Sequence, residues 1–153
     1  MTPLMTEVFS AAVALLARRE HGAIELADKL VKKGYAADEV HNAIAACQNL
    51  DLQSDQRFVG MLLRVRIGQG YGPERIRREI QQKKVDRACY EQALETEPVD
   101  WLVCAKQVLD KKYKSCAQLS WQMQQKQKQF LLYRGFPSQI IAQLFKINEE
   151  IAE

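Results

Sequence analysis

Residues 68–73 read Gly68, Gln69, Gly70, Tyr71, Gly72 and Pro73, a density of glycine that suggests backbone amides cradling a phosphate. A nucleotide loop needs more than glycine. It follows a strand and closes on a lysine with a serine or threonine, which supply a point charge and a metal-ligating hydroxyl. Here the run follows a helical pattern and no such lysine closes it, so we exclude a nucleotide site. What remains is a helix-to-helix turn. It would set backbone N–H groups and the positive start of the next helix beside Arg75, a modest anion site.

The next helix carries Glu74, Arg75, Ile76, Arg77, Arg78, Glu79 and Ile80. Ile76 and Ile80 share one face at i, i+4. Glu74 is spaced to pair with Arg78, and Glu79 with Lys83. Arg75 and Arg77 have no acid four residues away, and a guanidinium matches the geometry of phosphate and carboxylate. Arg57 and Arg64, seven apart on the preceding helix, extend this basic patch.

Catalytic chemistry has little to work with. His21 and His41 are the only histidines, and neither stands in a nucleophile–base spacing. Cys47, Cys89, Cys104 and Cys116 form no C-x-x-C pair. Cys47 and Cys89 fall on apolar helical faces, where a thiol acts as a small hydrophobe. With these ligands no zinc-type set assembles at the usual spacings. We expect reduced thiols, no metal, no cofactor and no enzyme.

The chain has 153 residues, 47% of them hydrophobic and 27% charged, a globular rather than a disordered composition. No apolar run reaches the roughly 20 residues of a membrane span. Residues 1–16 lack the basic and apolar regions of a signal peptide, so we expect a cytoplasmic protein. The net charge of +3 is unevenly spread. Residues 57–87 carry nine basic and three acidic side chains, and residues 106–134 carry seven and one. Two basic blocks point to an anionic partner, nucleic acid or an acidic protein groove. For any single run, a solvated helix face is the simpler reading.

These residues must be positioned by helices. Phe58, Met61, Leu62 and Val65 repeat at i, i+3, i+4, i+7, and Leu102, Ala105, Leu109 and Tyr113 form a similar stripe. No segment alternates as a strand does. Thr6 is placed to cap a helix over 7–18, and a second helix spans 23–33. Gly34 then takes the left-handed C′ position with Tyr35 as its apolar follower. A third helix runs to about Cys47. The order then repeats: Ser54 caps a helix to Ile67, Pro73 starts one ending near Lys83, and Asp86 caps one through Glu95. Pro98 opens a helix to Tyr113, a long helix runs from about Leu119 to Gly135, and the last spans about 138–150.

The repeat can be checked position by position. Leu30, Ile80 and Leu131 are equivalent; so are Gly34, Lys84 and Gly135; then Val40, Tyr90 and Ile141; then Ile44, Leu94 and Phe145. We therefore expect an all-α chain of three tandem three-helix repeats, over 6–47, 54–96 and 98–150, forming an elongated, curved helical array.

At this point the residues resemble a known family. Leu15 to His21, followed by Glu25-Leu26 and Lys29-Leu30, is similar to the opening of the RecX regulatory proteins. Arg57-Phe58, and Gly70 to Pro73 with Arg75-Ile76-Arg77 and Glu79, resemble that family's central signature. Phe130 to Phe136 resembles its C-terminal one. The matches keep their order and span nearly the whole chain. Two departures stand out. Lys84 replaces the glycine usual at that helix end, and lysine enters a left-handed conformation only at a cost, so the resemblance implies a differently built end there. Leu52-Gln53-Ser54-Asp55 replaces the family's tyrosine-leucine-aspartate-aspartate lead-in.

The resemblance implies a non-enzymatic regulator of the recombinase RecA. Family members bind RecA and its filament on single-stranded DNA along the helical groove. They mainly inhibit strand exchange, ATP hydrolysis and co-protease activity, and they limit filament growth in DNA repair and the SOS response. On that reading the filament or DNA contacts are Arg57, Arg64, Tyr71, Arg75, Arg77 and Arg134, on a monomer with weak direct affinity for DNA. Tyr71 is as well suited to packing within its turn. Two other readings stay open: a DNA-binding helical module acting without RecA, and a helical-repeat scaffold for peptides.

Overall fold

The computed structural model describes residues 6–114 and 119–152, so Cys116 lies outside the described residues. Among these the secondary structure is entirely helical: α1 (Glu7–Arg18), α2 (Ala23–Lys32), α3 (Ala37–Asn49), α4 (Asp55–Gly68), α5 (Pro73–Gln82), α6 (Arg87–Thr96), α7 (Trp101–Lys112), α8 (Trp121–Tyr133) and α9 (Ser138–Ala152). Among the described residues no helix is long and apolar enough to cross a membrane.

The caps explain most of the boundaries. The Thr6 hydroxyl accepts the Phe9 N–H at 3.0 Å, and the Ser54 hydroxyl accepts that of Arg57 at 3.2 Å. Each supplies an acceptor to a first turn that has none of its own. Helix α7 starts three residues later than Pro98 predicts. The Asp100 carboxylate takes the N–H groups of Leu102 and Val103 at 3.1 and 3.2 Å and sets the start at Trp101. Ser120 does the same for α8 through Met123 N–H, so that helix begins two residues after Leu119.

Five helices end in one way. Gly34, Asp51, Gly70, Lys84 and Gly135 all have positive φ. Each donates its N–H three residues back, and the following residue donates five back. At the equivalent repeat positions these bonds are Gly34 to Val31 and Tyr35 to Leu30, Lys84 to Gln81 and Val85 to Ile80, and Gly135 to Leu132 and Phe136 to Leu131, all between 2.9 and 3.3 Å. This is the Schellman arrangement. Lys84 therefore corrects the sequence expectation. With φ of 56° it closes α5 as glycine closes α2 and α8. Burial of Val85, 8% exposed, holds the turn against lysine's steric preference.

The chain divides into two compact units, residues 1–61 with 80–96, and residues 62–79 with 97–153. In the first, α1, α2 and α3 pack on one another around Val8, Phe9, Ala12, Leu15, Leu26, Leu30, Val40, Ile44 and Cys47. Its polar interior is fully partnered. Glu25, 7% exposed, accepts a two-pronged bond from Arg19 at 3.0 Å on each oxygen and a further one from Lys83. Burial alone would push the Glu25 carboxyl up, but the Arg19 and Lys83 hydrogen bonds outweigh it and hold the group at about 2. Lys29 Nζ lies 3.0 Å from His21 Nε2. An ammonium only donates, so Nε2 accepts, and the Nδ1–H donates to the Arg19 carbonyl at 3.1 Å. Burial first, then the charges of Arg19 and Lys29, pull the His21 pKa down against that backbone bond.

In the second unit α7, α8 and α9 surround Ala105, Leu109, Leu131, Phe136, Ile141, Leu144 and Phe145. Tyr113 meets Phe130 edge-on, with ring centroids 5.8 Å apart.

A clasped arginine–tyrosine cluster as the candidate interaction site

In the second unit the glycine-rich turn and the C-terminal end of α8 meet backbone to backbone. Gly72 N–H donates to the Arg134 carbonyl at 2.8 Å, and Glu74 N–H donates to that of Gly135 at 2.9 Å. A side chain would not fit on either glycine. A Cβ on Gly72 would stand 2.6 Å from the Gly135 carbonyl carbon and oxygen, and one on Gly135 would stand 2.6 Å from Arg75 Cβ. The sequence-level anion site at the start of α5 is thereby corrected. Pro73 has no N–H, and the amides on either side of it are spent on Arg134 and Gly135.

The same clasp sets three side chains together. Arg75 Cζ lies 4.1 Å from the centre of the Tyr71 ring, and Arg134 Cζ lies 5.2 Å from it. Arg134 also stands 5.3 Å from the Phe130 ring and donates to the Gln69 carbonyl at 3.1 Å. Tyr71 thus holds two guanidiniums by cation–π attraction. Neither has a carboxylate within 4.0 Å among the described residues. Two like charges placed in this way attract an anion.

Arg57, Arg64, Arg66 and Arg77 are compensated. Arg77 pairs with Glu74, not unpartnered as its spacing suggests. Arg78, expected to take Glu74, has no carboxylate within 4.0 Å among the described residues. Glu79, expected to take Lys83, is engaged by another helix. It meets the Arg66 guanidinium in a two-pronged bond at 2.7 and 2.8 Å, which raises the Arg66 pKa further. Arg64 reaches Glu97 at 2.9 Å with both groups solvated, a weak pairing. Arg57 belongs to the first unit. Its fork is filled by Asp51 at 2.8 Å and Glu20 at 3.2 Å, with the Asp51 carbonyl as a further acceptor.

The structure thus brings Tyr71, Arg75 and Arg134 into one cluster, keeps Arg64 and Arg77 in the same unit as ion-paired groups, and does not join Arg57 to it. Two residues that spacing does not single out border the cluster. Arg78 and Tyr133 line a groove of about 580 Å³ with Glu74, Arg75, Leu132 and Phe136. Tyr133 had a signal in the sequence. The stripe through Gln127 and Leu131 is the buried one, so an aromatic two positions after Leu131 points away from the core. A second groove of about 440 Å³ is lined by Ile67, Val108, Lys111, Lys112, Phe130 and Arg134. Among the described residues no group of three potential metal ligands occurs, and Cys47, Cys89 and Cys104 are free thiols.

Comparison with known proteins accounts for the triplication. Residues 9–47, 54–94 and 100–145 match the first, second and third three-helix domains of RecX, in that order. The regulatory protein RecX of Legionella pneumophila (strain Corby) is 45% identical over 142 residues, covering 93% of this chain and 95% of that protein. The regulatory protein RecX of Vibrio vulnificus (strain CMCP6) is 38% identical over 135 residues, 88% of each. The crystal structure of RecX from Lactobacillus salivarius has the same fold, with a TM-score of 0.78 over 94% of this chain and 95% of that one at 24% identity. Three matched domains in sequence, relatives aligned over nearly their whole length and a shared all-helical architecture identify the chain as a member of the RecX family of regulatory proteins.

Proposed function

We propose that this chain is a non-enzymatic, cytoplasmic regulator that binds RecA and RecA–single-stranded DNA filaments, limits filament growth and inhibits the recombinase, ATPase and co-protease activities. The observation that supports this best is the pair of uncompensated guanidiniums, Arg75 and Arg134, held on Tyr71. A surface cation held by a ring and a backbone clasp loses little freedom on binding, and pre-ordering of this kind favours affinity. The contact set we propose is centred on Tyr71, Arg75 and Arg134. Arg64 and Arg77 join it by exchanging exposed carboxylates for the partner's. Arg57 is the weakest of the six, since its acceptors already fill the fork.

The test is the DNA-dependent ATPase of RecA with this protein at substoichiometric amounts, paired with co-sedimentation on filaments. Inhibition together with co-sedimentation is expected. An unchanged ATPase with no co-sedimentation overturns the reading. A second reading, a sequence-tolerant DNA-binding module that acts without RecA, draws on the same arginines. A steep salt slope on free duplex DNA with no effect on the ATPase would favour it.

A further inference from the structure

Lys29, in the first unit, stands in an arrangement that a purely structural lysine does not need. Its amine meets a base: Nζ lies 3.0 Å from His21 Nε2, whereas Lys83 and Lys106 each meet a carboxylate. His21 is 2% exposed, and its other ring nitrogen is held on the Arg19 carbonyl at 3.1 Å. That bond fixes the tautomer and keeps the Nε2 lone pair on the amine. Lys29 itself is only half-buried, so a small reagent can reach it.

The charges around Lys29 are one-sided. Arg19 and His21 come from the connection between α1 and α2, Glu25 and Lys33 from α2 and its end, and Lys83 from the end of α5. Glu25 favours the ammonium, while Arg19, Lys33 and Lys83 oppose it. Glu25 is also engaged by Arg19 and Lys83. Burial comes first and acts with these cations, so the Lys29 pKa falls and more of the amine is free at neutral pH. A free amine is a nucleophile, and the cations that release its proton also attract an anionic reagent. We propose that Lys29 is a site of acylation by acyl phosphates, with His21 as the base and Arg19, Lys33 and Lys83 drawing in the phosphate.

The step balances with the acyl phosphate as its one co-reactant. The Lys29 amine adds to the acyl carbon and forms a C–N bond. The adduct's ammonium proton passes to His21 Nε2. The bond between the acyl carbon and the phosphate oxygen then breaks, and its electron pair leaves with inorganic phosphate. The imidazolium, repelled by Arg19, returns its proton to water. The amide product keeps one N–H for Nε2, so the surrounding fold accommodates it. A neutral thioester would meet the same amine without help from the three cations. The inference uses no residue of the arginine–tyrosine cluster and does not require RecA, so it stands or falls apart from the function proposed above.

The experiment treats the full chain with acetyl phosphate and reads the initial rate of acetylation at each lysine by peptide mass spectrometry. Lys29 is expected to react about tenfold faster than the exposed Lys32 and Lys84, short of the roughly 10²–10⁴-fold that a fully positioned base supplies. The advantage should vanish in urea. It should hold above pH 6.5 and shrink below that value, where His21 takes up its own proton. His21→Gln should bring Lys29 down to the rate of Lys32, a loss of about tenfold. Lys33→Ala should slow the reaction with acetyl phosphate and leave that with a neutral acetyl thioester unchanged. Equal rates at Lys29, Lys32 and Lys84 overturn the proposal, as does an advantage that survives in urea. So does a His21→Gln chain of normal helical circular dichroism that keeps the advantage. An equal preference for Lys29 with the neutral thioester overturns acyl phosphate as the donor. Should His21→Gln unfold, the pH series on the unmodified chain decides.

Discussion

The carbonyl of Gly135 lies 2.6 Å from where a Cβ on Gly72 would stand, so Gly72 is required by backbone that lies 63 positions further along the chain. The obstacle is backbone, which cannot rotate aside as a side chain tip can. Gly72→Ala should therefore destabilise the chain by about 2–3 kcal/mol, the upper part of the overpacking range. It should also separate Arg75 from Arg134. A urea denaturation midpoint checks the first effect. Loss of regulatory activity in whatever chain remains folded checks the second.

Lys84 gives the opposite sign. Its φ of 56° is a conformation that only glycine adopts freely, and its side chain is exposed. Lys84→Gly should stabilise the chain by about 1 kcal/mol, the steric penalty that a β-carbon carries in the left-handed region. The melting temperature should rise by a few degrees. An unchanged or lower melting temperature would mean that lysine holds this turn by some other contact.

Acid should weaken the first unit in two stages. His21 titrates below its ordinary 6.5 when folded, so the unfolded chain takes up that proton first. The stability due to neutral His21 is whole above pH 6.5 and is lost as the pH falls from there toward the folded value. Glu25 titrates at about 2 when folded against 4.5 when free. Its contribution is whole above 4.5 and is lost as the pH falls toward 2. Urea midpoints measured against pH should show both declines, and Glu25→Gln should remove the lower one. At neutral pH that substitution should cost about 3 kcal/mol. This is the low end for breaking a buried pair, because Arg19 and Lys83, 39% and 34% exposed, can turn to water.

The proposed contact surface has its own test of specificity. Arg75→Ala with Arg77→Ala should weaken filament binding while leaving helical circular dichroism and melting temperature nearly unchanged. Both side chains are exposed, and neither takes part in the buried network. Tyr71→Ala should act more broadly than either, since it releases Arg75 and Arg134 together, whereas Tyr71→Phe retains the ring and should retain binding. Co-sedimentation with RecA filaments reads each variant. Unfolding of the double variant would assign the arginines a structural role.

The helices were legible because their signals are local. Thr6, Ser54 and Asp86 stand where caps must stand, and Gly34 and Gly135 where left-handed turns must be. The partners of the charged residues were not legible. Helical spacing assigns Glu74 to Arg78 and Glu79 to Lys83, yet Glu74 takes Arg77, Glu79 takes Arg66 and Lys83 takes Glu25. An i, i+4 pair on a solvated helix is worth only about 0.2–0.5 kcal/mol. A two-pronged arginine bond from another helix easily displaces it. The clasp was half visible. Spacing shows that Gly72 and Gly135 are turn glycines, but only the fold shows that they face each other.

The family's three-helix domains do not coincide with pieces that could be cut apart. The match to the first domain ends at residue 47, yet what completes that part of the chain comes later. Asp55 takes the Ala23 N–H at 2.8 Å, and Gln53 donates to the His21 carbonyl at 3.1 Å. Arg57 pairs with Glu20, and Lys83 reaches Glu25. An engineer who trimmed the chain at the domain boundary would leave Glu25 buried with one cation missing and an uncapped α2. The unit of inheritance here is the three-helix repeat, whereas the unit of physical integrity borrows its last supports from the repeat that follows.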